Sequence, residues 1–334
     1  MSGVEGVHTI QGFRFENGEV VDCLDVGYVT YGSLNRDRSN AVLLTPGTSN
    51  GRRWADALVG PGKMYDTDKF FFIGTDAIGG GTSSKPADGL GTRFPRYTIR
   101  DMVRAEHAMV TAGLGLDRLL AVAGPSMGSF QGVEWGINYP DFVRGLVLIV
   151  PAARSDALFG SIVEALTAMI TSHPAYDMGA YRENPSEAIV NGGLVYFPWV
   201  FSDAYLATLV TETDRRRAMY ALGTAWAQMW DANSLLWRYY ASRHHDASKP
   251  FGGDMREALS RVTARCLLLV ADTDRTIPGY LSRELHEGLA RSEWVTIPTI
   301  RGHLGGSRPI DGTTEHALMT RHIGEFLDRL ADRS

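Results

Sequence analysis

The chain has 334 residues, 44% of them hydrophobic and 21% charged, with a formal net charge of −5. That composition is that of a soluble globular protein with a substantial core, in one large α/β domain or two ordinary ones, and it argues against a dedicated nucleic-acid binder. No run approaches the roughly 20 apolar residues of a membrane span. Met1 to His8 lacks the basic start and apolar stretch of a signal peptide. Two cysteines, Cys23 and Cys266, fit a reducing cytoplasm.

The first third reads as strand and turn. Val20 to Tyr31, Ala41 to Leu44 and the apolar run Phe70 to Gly74 are strand-like. Met102, Ala105, Met109 and Leu114 recur at helical spacing over Thr98 to Leu114, with Asp101 near the start. Leu119 to Ala123 predicts a short buried strand, Gly124-Pro125-Ser126-Met127-Gly128 a sharp turn, and Ser129 to Tyr139 a helix closed by Pro140. Leu146 to Val150 is the next strand. This βαβ rhythm predicts an α/β fold with a mostly parallel central sheet and helices on both faces.

After Pro151 the character changes. Residues 155–248 lack strand runs and are rich in Met169, Trp199, Trp226, Met229, Trp230, Trp237, Tyr239 and Tyr240. They predict a helical cap inserted between two core segments, 1–154 and 249–334. Most of these large side chains read as the insertion's own core and its seam, a few as the lining of an apolar acyl pocket. Strand runs resume at Arg265 to Val270 and Trp294 to Ile297, and an amphipathic helix from Glu315 to Leu330 completes the pattern.

The turn around Ser126 fits G-x-S-x-G, the nucleophile elbow, in which glycines permit close backbone approach and strained dihedrals. A serine hydroxyl needs a base, and the base an orienting carboxylate, in the chain order Ser, Asp or Glu, His. His303, set between glycines in a loop after the Val295 strand, is the expected base. Asp272 and Asp274 follow the strand ending at Val270; Asp274, deeper in its loop, is preferred, while Asp272 fits a turn cap. The backbone N–H groups of Met127 and Thr48 are the expected oxyanion donors, the latter from the loop Thr45-Pro46-Gly47-Thr48. Gly60 to Lys63 and Gly79 to Gly81 lack the lysine-serine pair of a phosphate loop and read as turns, with the Gly79–Lys85 loop as a candidate border of the site. His244-His245-Asp246 has no third spaced ligand, so no metal is expected. Arg215-Arg216-Arg217 follows Glu212 and Asp214 and reads as a solvated helix face.

Several stretches carry a family likeness: Gly60 to Lys63 with Tyr65 to Phe71, Phe94 to Val103, the elbow with Gln131, Glu134-Trp135 and Tyr139-Pro140, and Trp230 to Leu236. Over nearly its full length the chain resembles the homoserine O-acetyltransferase-like branch of the α/β-hydrolases. The resemblance implies that fold, a covalent acyl-serine intermediate, Ser126, Asp274 and His303 at the triad positions, and a homodimer as one possible assembly. Three positions depart from the branch's transferases. Leu304 stands where they carry an aspartate for the substrate's amino group, and Pro185 to Trp199 has no Arg or Lys to grip its carboxylate. The oxyanion loop also lacks their histidine.

The sequence therefore predicts hydrolysis of a small-molecule ester, thioester or amide through acyl-Ser126, with no resident cofactor and no nucleic-acid or membrane partner. The alternative is O-acyl transfer from acetyl-CoA, as co-substrate, to an acceptor other than homoserine. A third reading is a non-catalytic small-molecule binder on the same fold.

Overall fold

The computed structural model describes residues 3–332; Met1 and Ser2, part of the stretch searched for a leader, lie outside them. β1 (Val4–Arg14) and β2 (Val20–Tyr31) form an antiparallel hairpin, of which the sequence pattern revealed only the second strand. β3 (Ala41–Leu44) follows, and the short strands β4 (Val59–Gly60) and β5 (Tyr65–Asp66) pair apart from the main sheet. β6 (Phe71–Thr75), β7 (Leu119–Pro125), β8 (Val143–Ile149), β9 (Arg265–Ala271) and β10 (Ser292–Ile297) complete an eight-stranded sheet of order β1-β2-β6-β3-β7-β8-β9-β10. Only the β1–β2 and β2–β6 pairs are antiparallel.

Between β6 and β8 lie α1 (Ile99–Ala108) and α2 (Met127–Asn138). Residues 155–248 hold α3 (Ala157–Thr171), α4 (Ser186–Val200), α5 (Asp203–Thr208), α6 (Glu212–Met229) and α7 (Ala232–Arg243). α8 (Met255–Ser260), α9 (Gly279–Gly288), α10 (His303–Ser307) and α11 (Thr314–Ala331) alternate with the last strands. α1 starts where Thr98 accepts from the Asp101 N–H and Asp101 returns to the Thr98 N–H, a capping box. Its regular part is shorter than expected, because Met109–Gly113 winds into a π turn.

All of β7 is buried because helices cover both faces of the sheet, which is why it reads as unbroken apolar sequence. Val122 and Leu148 pack with Met102, Phe130 and Val133 of α1 and α2. Ala123, Val147 and Leu269 pack with Ile323, Phe326 and Leu327 of α11. The two ends of this helical segment meet at a bridge, Arg154 to Asp246, flanked by Ser155 N–H to His245 O at 2.9 Å and Ala247 N–H to Ala153 O at 3.0 Å. Within it, α4 and α6 meet so closely that a Cβ on Gly193 would lie 2.4 Å from Gly223 Cα. Arg215 and Arg217 stay on the exposed face of α6, beside Glu212 and Asp214. Among the described residues no helix is long and apolar enough to cross a membrane.

Candidate active site

β7 ends at Pro125 and α2 begins at Met127, so Ser126 alone makes the turn, with φ 57° and ψ −121°. For a residue with a Cβ this backbone costs about 1–3 kcal/mol, and it thrusts the side chain out from the strand end. The flanking glycines play a different part from the one expected of both: neither lies in the left-handed region, so the strain falls on the serine itself. They serve close approach, since a Cβ on Gly124 would sit 2.2 Å from Thr45 Oγ1 and one on Gly128 2.4 Å from Thr45 O.

That approach fixes the loop beside Ser126. Thr45 Oγ1 donates to Gly128 O at 2.8 Å, and Gln131 Nε2 donates to Pro46 O at 3.0 Å. Arg238, fully buried on α7, donates Nη2 to Gly47 O at 3.2 Å and Nη1 to Asp76 O at 3.0 Å. A Cβ on Gly47 would lie 4.0 Å from Ser126 Cβ, so the next residue, Thr48, stands at the serine's side. The Thr48 hydroxyl meets Ser242 Oγ of α7 at 3.1 Å. On the other side, Ser129 and Phe130 give their N–H groups to Ser126 O. Met127, as the first residue of α2, has an N–H with no intrahelical acceptor. Its side chain is buried in the core and lines no cavity wall at Ser126.

His303 is the first residue of α10 rather than a loop residue. Gly302 supplies the turn before it, at φ 60°, where a Cβ would lie 2.7 Å from Val200 O. His303 Nδ1 meets Asp274 Oδ2 at 2.7 Å, and both side chains are buried. Asp274 Oδ1 accepts the N–H groups of Thr276 at 2.8 Å and Ile277 at 3.0 Å. Asp272 is engaged elsewhere, accepting the Thr299 N–H at 3.0 Å. Of the two aspartates, Asp274 is the one that meets His303.

Ser126, Thr48 and His303 line one small cavity of about 40 Å³. Tyr196 of α4 and Leu222 of α6 also line it, together with Trp226 and Tyr239 from the expected aromatic set. Trp230 and Trp237 are core residues, while Met169 and Met229 are exposed. Gly79 and Gly80 do not line the cavity; they pack under Tyr97, Arg238 and Trp230. His244 and His245 diverge, the first turned to Tyr240 O and the second stacked on Phe130 with centroids 4.7 Å apart. Burial pushes the Glu106 and Glu134 carboxyls up to about 8, the Cys266 thiol up to about 12 and His245 down to about 3.

The family profile for the alpha/beta hydrolase fold matches residues 45–300. The chain belongs to the α/β-hydrolase fold family. Within it, the chain falls in the homoserine O-acetyltransferase-like branch. It is 31% identical to a homoserine O-succinyltransferase from Magnetococcus marinus, over 95% of this chain and 91% of that protein. It is 29% identical to a homoserine O-acetyltransferase from Geobacter sulfurreducens, over 95% of each. Among solved structures, the acetyl esterase MekB superposes with a TM-score of 0.88 at 27% identity, covering 98% of this chain and 96% of that one.

Sequence reasoning missed several residues of this α/β-hydrolase site. Tyr196 and Leu222 sit in helices whose inward face no pattern marks out. Gln131 and Arg238 act on the Thr45–Thr48 loop across 85 and 191 residues of chain, a separation that a local motif does not register. Arg308 also lines the cavity, and nothing in its neighbourhood in the sequence singled it out.

Proposed function

We propose that this protein hydrolyses a small-molecule ester, thioester or amide through an acyl-Ser126 intermediate. The observation that carries the reading is the meeting, in one cavity, of a strained serine and a histidine already bonded to a buried carboxylate. Ser126 Oγ attacks the substrate carbonyl while His303 Nε2 accepts its proton. Asp274 holds the Nδ1–H tautomer and stabilises the imidazolium. The carbonyl oxygen, now negative, takes the N–H groups of Thr48 and Met127. Collapse breaks the bond to the leaving group, which departs with the proton from His303. Water then attacks the acyl group by the same route in reverse and frees the serine.

Transfer instead of hydrolysis differs only in which acceptor reaches the acyl-enzyme. The curated relatives, named as homoserine O-acyltransferases, favour this second reading, with acetyl-CoA as acyl donor. Homoserine itself is a poor fit. Leu304 lines the cavity, no acidic side chain does, and an unpaired ammonium buried there would cost several kcal/mol. The structural likeness to an acetyl esterase supports hydrolysis. We further propose residues 155–248 as the cap over this site, between core segments 1–154 and 249–334.

The test has two parts. A fluorophosphonate probe, read by mass spectrometry, labels the wild-type protein on Ser126 and leaves Ser126→Ala unlabelled; failure to label either protein supports the non-catalytic binder. An activated acetyl ester is then incubated with and without alcohol acceptors. Acetate as the main product supports hydrolysis, and transfer product in excess of acetate reverses the order of the two readings.

A further inference from the structure

Arg308 follows α10, five residues beyond His303, and lines both the Ser126 cavity and the wider groove outside it. Among the residues lining the inner cavity it is the one with a permanent charge, and none is acidic. Its Nη2 donates to Asn50 Oδ1 at 3.0 Å and more distantly to Ser49 Oγ at 3.5 Å, both neutral acceptors. Nε and Nη1 have no protein acceptor among the described residues, although a guanidinium offers five N–H donors. The other arginines of the groove are different: Arg52 and Arg53 are already paired with Glu5, Asp76 and Asp56.

The side chain is accessible from the groove, yet its charge is surrounded by protein on the inner side. Desolvation lowers the Arg308 pKa, and the opposing influence comes from Tyr239 rather than from a carboxylate. Because Arg308 holds Asn50 Oδ1, the other end of that amide, Nδ2, is left as a second donor next to Gly47. A cation placed this way, with free N–H donors beside a neutral amide, has the chemistry to bind a carboxylate.

We propose that Arg308, with the Asn50 amide, is the specificity-determining anchor for a substrate carboxylate, so that the preferred substrates are small acyl esters carrying a carboxylate and no amino group. The proposal rests on the acyl-Ser126 reading and names the substrate class of that site. The same cation that attracts a carboxylate repels an ammonium, and Leu304 offers the ammonium no partner.

The full-length Ser126→Ala protein, which leaves the ligand intact, is titrated calorimetrically with monomethyl glutarate and with dimethyl glutarate. The monoanion is expected to bind about 10- to 100-fold more tightly than the diester, the range for a hydrogen bond to a charged group. Adding Arg308→Gln removes the preference, and Arg308→Lys, which keeps the charge, restores part of it. Equal affinity for the two ligands, no detectable binding of the monoanion, or a preference that survives Arg308→Gln overturns the proposal. The acyl-serine reading is judged separately, by whether ester turnover disappears in Ser126→Ala. Turnover persisting there sinks that reading and leaves the titration result standing.

Discussion

Asp274→Asn separates the orienting role of this carboxylate from its structural role, because the replacement amide has its orientation fixed in advance. Asp274 Oδ1 accepts two backbone N–H groups, from Thr276 and Ile277, at 2.8 and 3.0 Å. In the variant the amide oxygen must stay there, which turns the NH₂ toward His303 Nδ1. The flipped arrangement would face two buried N–H donors with a third, at about 1–3 kcal/mol for each group left unsatisfied. Even the lower bound, about 2 kcal/mol for the pair, keeps the flipped form near 3% of molecules. A donor facing Nδ1 forces the ring proton onto Nε2, the nitrogen that must accept from Ser126. Turnover is therefore expected to fall about 10⁴-fold, while the thermal midpoint changes little because the backbone hydrogen bonds survive. The assay is kcat for p-nitrophenyl acetate alongside a melting curve. Asp272→Asn is the matched control, expected to disturb stability through the Thr299 N–H and to spare most of the turnover. If Asp274→Asn keeps more than a tenth of wild-type kcat, or Asp272→Asn loses as much, the assignment of the orienting carboxylate is wrong.

Other outcomes follow from the same geometry. Ser126→Gly should lose turnover by at least about 10⁴-fold while gaining about 1 kcal/mol of stability, because glycine adopts φ 57° without the strain serine carries; urea denaturation reads the gain, and a loss of stability contradicts the strain argument. Gly128→Ala places a methyl 2.4 Å from the Thr45 carbonyl oxygen, so about 1–3 kcal/mol of stability should go together with kcat as the Thr45–Thr48 loop shifts; a silent variant refutes the close-approach role. Glu106 keeps its proton in the folded protein up to about pH 8, whereas the unfolded chain releases it near the ordinary value of 4.5. Its contribution is thus fully present below about pH 4.5 and declines as pH rises toward 8, by as much as about 1.4 kcal/mol per pH unit. Glu106→Gln, which still offers an oxygen to Trp135 Nε1, should gain stability over wild type progressively from pH 5 to pH 8, and a pH-independent difference in urea midpoints would count against it.

The sheet was legible because its strands are buried on both faces, so β3, β7 and β9 appear as plain apolar runs. β1 escaped because most of it is solvent-exposed, and His8, Thr9 and Gln11 give it no apolar alternation. The elbow was legible as a local pattern, but the division of labour within it was not: dihedral strain sits on Ser126, and the glycines matter for what lies opposite them, the Thr45 carbonyl from a distant loop. The preference for Asp274 over Asp272 came from loop depth; in the structure Asp274 meets His303 Nδ1, while Asp272 accepts the Thr299 N–H. His303 was expected in a loop and begins a helix, because Gly302 completes the turn just before it. Contacts made across the fold, such as those of Gln131, Arg238 and Arg308, leave no periodic trace.

Those long-range contacts change what the insertion is. Ser126 and the Met127 N–H are carried by β7, buried throughout, and by α2, buried from Met127 to Ile137. The opposite side of the proposed oxyanion site, Gly47 and Thr48, is held by α7, through Arg238 on the Gly47 carbonyl and Ser242 on the Thr48 hydroxyl. α7 also contributes Tyr239 to the cavity wall, so the element that would cover a bound acyl group is also the one that holds the proposed oxyanion donor, Thr48. On that proposal, a displacement of α7 that admits water or another acceptor would also loosen the donor expected to stabilise attack on the acyl-enzyme. On the proposed acyl-Ser126 reading, an acceptor that enters with α7 in place can do so where the cavity and the outer groove share Asn50, Ser307 and Arg308 as lining. If the proposed acyl-Ser126 reading holds, the choice between water and another acceptor is then expected to depend on which molecules the charge and width of that shared region admit.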